Sequence, residues 1–124
     1  MAAHADLWGE IKPSVVRTPV AMLREQASLL GAKTNHLIEG KVHSHASGTK
    51  FYHSFSLVVP ALDNYSYELF QISHDVGFYP VSVENRSSYR ELRNQGEFVE
   101  WLREKLSSPE TKGLIGNLLA QANS

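Results

Sequence analysis

Four runs rich in β-branched and aromatic residues occupy residues 35–84, and only three to five residues separate each run from the next. They read "NHLIEGKVHSHA", "KFYHSFSLVV", "YSYELFQISH" and "YPVSVE", broken by "SGT", "PALDN" and "DVGF". Parallel neighbours need a crossover of a dozen or more residues, whereas antiparallel neighbours join through a tight turn. The spacing therefore predicts a four-stranded antiparallel meander sheet.

Helical patterns flank the sheet. Thr18 is a natural N-cap, Pro19 suits the first helical position, and Gly31 suits the stop. Val20, Leu23, Ala27 and Leu30 share one face of the resulting helix, 19–31. After a polar stretch read as a loop, 85–95, two helices are expected within 96–122. Phe98, Trp101, Leu102 and Leu106 stripe the first; Leu114, Ile115, Leu118, Leu119 and Ala122 stripe the second, with Ser108 as cap and Pro109 behind it. Residues 1–17 form a leading segment in which "LWGEI" has room for one helical turn. The expected class is α+β, a single domain over 1–124 with an N-terminal helix and two C-terminal helices packed on one sheet face.

The histidines in "GKVHSHASGTKFYHSF" raise the question of a metal site, and hairpin register decides it. Strand side chains alternate between faces, so a one-residue slip exchanges every one of them. An odd loop, Ser47 to Thr49, sets His43 opposite His53 but mixes Glu39 and Lys41 with Phe55, Leu57 and Val59. An even loop, Gly48-Thr49, pairs Val42 with Phe55 and Gly40 with Leu57. It then collects Glu39, Lys41, His43 and His45 against Tyr52, Ser54 and Ser56. Burial favours the even loop. His53 then points towards the helices, away from His43 and His45. Those two remain as candidate ligands for a transition metal, given a third donor such as His74. A catalytic zinc ordinarily takes three protein ligands.

In the third run, Tyr65, Tyr67 and Leu69 alternate with Glu68, Phe70, Ile72 and His74, so both faces carry apolar area. A sheet apolar on both sides needs a second cover, which points to a homodimer through Tyr65 and Tyr67. Leu114 and Leu118 are the alternative contact. Arg86, Arg90 and Arg93 supply three guanidinium groups suited to an anion, although Glu84, Glu91 and Glu97 lie near them in sequence.

Composition excludes several classes. The 124 residues contain no cysteine, which removes disulfides, thiolate metal sites and a cysteine nucleophile. A net charge of −1 does not suit a dedicated nucleic-acid binder. No apolar stretch reaches membrane-spanning length, and no secretory pattern opens the sequence, so a cytoplasmic protein is expected. There is no P-loop, nucleophile elbow, dinucleotide fingerprint or paired-histidine zinc helix. The pairs Glu68–His74 and Asp75–His74 are the nearest approach to acid–base chemistry. The reading is a non-catalytic interaction or assembly protein that partners itself, with no cofactor. Two alternatives stand beside it. One is a small-ligand binder or enzyme whose sheet–helix pocket holds His53, Tyr67, His74, Arg86 and Arg90; the other is metal binding through His43 and His45.

Overall fold

The computed structural model of the chain describes residues 5–84 and 88–124. Helix α1 (Pro19–Lys33) precedes strands β1 (Glu39–Ser47), β2 (Lys50–Val59), β3 (Tyr65–His74), β4 (Val81–Glu84) and β5 (Tyr89–Leu92). Helices α2 (Gln95–Ser107) and α3 (Pro109–Ala122) follow. The five strands lie in sequence order in one antiparallel sheet. This is the expected α+β architecture with one strand more than the sequence suggested. That strand, β5, falls inside the stretch read as a loop. Only Leu92 of its four residues is buried, so this edge strand shows no hydrophobic alternation to betray it.

Thr18 caps α1 by accepting the Ala21 N–H at 3.1 Å. Gly31 does not end the helix. It is buried within it, where a Cβ would come within 3.0 Å of the Glu39 carboxylate. The chain turns instead through Asn35 and His36, both at positive φ, residue types that tolerate this region. Thr34 pins the turn, its hydroxyl accepting the Ile38 N–H at 3.2 Å. Consequently β1 starts at Glu39, later than its β-type pattern begins.

The β1–β2 register is the even one. Ser47 pairs with Lys50 across Gly48-Thr49, Val42 with Phe55 and Gly40 with Leu57. The β2–β3 pairing contains a break that the sequence pattern conceals. Phe55 lies opposite Phe70, yet Ser56 lies opposite Glu68, which leaves Leu69 as an extra, bulged residue. The bulge shifts the phase of β3 by one. Tyr65 and Tyr67 stand opposite Val59 and Leu57, while Phe70 and Ile72 stand opposite Phe55 and His53. All these residues therefore share one face, because directly opposed side chains project to the same side. The other face carries Lys41, His43, His45, Tyr52, Ser54, Glu68, Gln71 and Ser73. The outer face is thus mainly polar, its apolar members being Tyr52, Val58 and Tyr89, and the argument for a second sheet-covering layer weakens accordingly.

The helices cover the apolar face. Phe55 stacks on Phe70 with ring centroids 5.4 Å apart, and Trp101 meets Phe70 edge-on at 5.0 Å. Leu23, Ile38, Leu57, Val59, Val81, Leu92 and Phe98 are fully enclosed around them. At the other end of α2, Ser108 accepts the Thr111 N–H at 3.1 Å and Thr111 donates to the Lys105 carbonyl at 2.8 Å. This tight joint turns α2 back into α3. Leu118 packs in the core and Leu114 packs against it, so neither offers the free interface suggested for it.

Candidate functional site: an open cleft and a buried histidine chain

α1 sits on β1 at one side of the sheet. Gly40 allows this closeness, since a Cβ there would lie 2.6 Å from the Ala27 Cα. The α2–α3 pair sits across the rest of the sheet, held by Trp101 on Phe70 and Phe98 in the core. Between the two helical blocks the layer is incomplete and a cleft of about 630 Å³ opens. Its floor is Phe55, Leu57 and the bulged Leu69; Met22, Leu29 and Leu30 form one wall; Val99, Leu102, Leu106 and Ile115 form the other. The bulged Leu69 supplies the third floor residue.

The rim is mostly cationic, with Arg17, Lys33, Arg103 and Lys112 against Glu25. Arg17 is paired with Glu25, and Arg103 with Glu100 at 3.3 Å. Among the described residues Lys33 and Lys112 have no carboxylate partner within ion-pair distance. The cleft is therefore an apolar trough with positive charge left over at its edge.

A second constellation lies at the far end of the same sheet face. His53 and His74 are 5% and 7% exposed, and their Nε2 atoms are 2.9 Å apart. Ser44 Oγ is 2.7 Å from His53 Nδ1, and His74 Nδ1 is 2.6 Å from the Asp75 carbonyl oxygen. A carbonyl only accepts, so His74 Nδ1 donates, and in the neutral ring Nε2 is left to accept. His53 then donates from Nε2 and accepts the Ser44 hydroxyl at Nδ1. Every ring nitrogen has a partner, which is how two imidazoles fit beside Phe51 and Phe78. Burial first, and then His74, Arg24 and His45, lower the His53 pKa to about 4. A base so depressed accepts little proton at neutral pH, and its Ser44 partner lies on the exposed outer part of edge strand β1. The chain ties both imidazoles into one hydrogen-bonded run from Ser44 to the Asp75 carbonyl.

The structure distributes the sequence candidates widely. His53 and His74 come together, but neither they nor Tyr67 nor Arg90 lines the cleft. Arg86 lies outside the described residues. Arg90 is on β5 opposite Val83, and Tyr65 and Tyr67 are half-exposed on the helix-bearing face. His43 and His45 face the opposite side from His74, and His45 stacks on Tyr52 with centroids 5.0 Å apart. Among the described residues no three His, Asp or Glu side chains gather to hold a metal ion. Glu68 and His74 are on opposite faces, and Asp75 meets His74 through its carbonyl rather than its carboxylate. Leu30, Leu102, Leu106 and Ile115 had a sequence signal, the helix stripes, which reads as core, whereas Met22, Leu29 and Val99 lie outside those stripes.

Fold and site together define a sheet-and-helix domain with an incompletely closed helical layer. No family model, curated protein or solved structure matches the chain. No helix among the described residues is long and apolar enough to cross a membrane.

Proposed function

We propose that this protein is a non-catalytic interaction module that receives an apolar polypeptide segment in the cleft between α1 and α2–α3. The observation that carries this reading is the apolar trough itself, about 630 Å³, lying between helices that do not close over the sheet. Closing that gap would bury Leu29, which is 45% exposed, and complete the layer. Helix-in-groove and extended-segment recognition both use such troughs, with apolar anchors below and charge selection at the rim.

The test uses the anionic apolar dye anilinonaphthalene sulfonate, titrated against the native protein by fluorescence. One saturable site is expected, weakened by Leu29→Glu, a substitution at a half-exposed position that leaves the circular dichroism spectrum unchanged. If the dye fails to bind the native protein, or binds the variant equally well, the cleft is not the binding surface.

A further inference from the structure

The cleft has a candidate occupant within the sequence. The segment preceding α1 exposes Leu7 at 92%, Trp8 at 81%, Ile11 at 71% and Val15 at 102%. Isolated exposed leucines are ordinary, but four large apolar residues within nine positions form a patch that marks an interaction surface. The segment's side-chain hydrogen bonds are local, from the Trp8 N–H to Asp6 and from the Val16 N–H to Ser14. It ends at Arg17, which lines the cleft and pairs there with Glu25. One chain thus carries an uncovered apolar trough and an uncovered apolar strand that starts at the rim of that trough.

Resting on the reading of the cleft as a polypeptide-binding trough, we infer that the occupant is the Leu7–Ile11 segment of a second copy of this chain, exchanged reciprocally to make a dimer. Charge offers one match: Glu10 pairs with Lys12 inside the segment at 3.3 Å, which leaves Asp6 as the segment's carboxylate without an ion pair among the described residues, and Lys33 and Lys112 are the rim cations likewise without a carboxylate partner among them. Exposure leaves the segment free to exchange: Leu7, Trp8, Ile11 and Val15 are each more than two-thirds exposed, and none of them lines the chain's own cleft. Size supports it too. Seating Leu7, Trp8 and Ile11 from each of two copies covers on the order of 1,500 Å² in total, the scale of a stable interface. Reciprocal exchange is isologous and closes at two copies, which prevents open-ended growth.

The experiment combines sedimentation velocity with acrylamide quenching across a micromolar concentration series of the intact protein. The chain has two tryptophans, and Trp101 is buried, so concentration-dependent protection reports Trp8. A Trp8→Phe variant supplies the Trp101 background. The expected result is a dimer whose formation protects Trp8. A Leu7→Asp, Trp8→Asp variant is expected to be monomeric, and Leu29→Glu to raise the dissociation constant roughly tenfold or more. Mixing those two variants is expected to restore part of the dimer, because one intact segment then meets one intact cleft. Three results overturn the inference: a monomer with Trp8 fully quenchable, a monomer with Trp8 protected, or a dimer indifferent to the Leu7→Asp, Trp8→Asp change. The dye titration separates the two ideas. A cleft that binds the dye in a protein that does not exchange segments sinks the dimer and leaves the trough standing.

Discussion

The contact between α1 and β1 and the gap between α1 and α2–α3 lie on the same helix, a few residues apart, and they are opposites. At Gly40 the helix sits so close that no side chain fits beneath Ala27. On the neighbouring flank, Leu30 packs against the core while lining the trough, and Leu29 faces the trough half-exposed. α1 is seated on β1 at Ala27 and anchored in the core by Met22 and Leu23, whereas α2 and α3 are placed by Trp101, Phe98 and Leu118 against the same core.

Substitutions can break or sharpen this contrast. The largest effect is expected at the shared floor. Phe55 is 1% exposed and stacks on Phe70, so Phe55→Ala is expected to lose about 3–5 kcal/mol in denaturant unfolding. Next comes Gly40→Val, which forces α1 off its strand and is expected to lose about 1–3 kcal/mol. If Gly40→Val leaves stability unchanged, the tight contact does not position the helix. On the trough side, Leu29→Ser is expected to shift stability by no more than about 0.5 kcal/mol, since that side chain already faces the open cleft. A loss as large as that at Gly40 would mean the cleft is closed in solution.

The polar end of the same face gives a pH test of sign. The His53 pKa is lowered from 6.5 to about 4. The unfolded chain therefore takes up a proton below pH 6.5 that the native protein refuses until about pH 4. Stability is full above that window and falls through it as pH drops, at a limiting slope of about 1.4 kcal/mol per pH unit. In His53→Phe this part of the slope is expected to vanish; its persistence would assign the slope to other groups. An effect of opposite sign is expected at Tyr79, whose buried hydroxyl has no hydrogen-bond partner among the described residues. Tyr79→Phe removes an unsatisfied group and is expected to be neutral or to raise stability by up to about 1 kcal/mol. A clear loss would reveal a partner, such as an ordered water.

Much of this was legible in the residues. Thr18 and Pro19 announced α1, and the stripes at Phe98, Trp101 and Leu102 announced α2. The fifth strand was not, because an edge strand with one buried residue has no pattern distinct from a loop. The bulge at Leu69 was not either. Alternation in "YSYELFQISH" reads as apolar on both faces until one residue is taken out of phase, and only pairing with β2 shows which. That single step moved Tyr65 and Tyr67 to the helix side and left the outer face mainly polar. The cleft escaped for a related reason: an apolar helix stripe looks the same whether its partner is the core or empty space.

By itself the sequence determined the β1–β2 register and the side to which each of its histidines points. Period-two alternation and the burial of Val42, Phe55 and Leu57 leave one arrangement that separates apolar from polar side chains. Only the tertiary structure decided that His53 meets His74, that Leu69 bulges and that the helical layer stays open. These depend on contacts between residues far apart in sequence, where packing distance rather than local pattern sets the outcome.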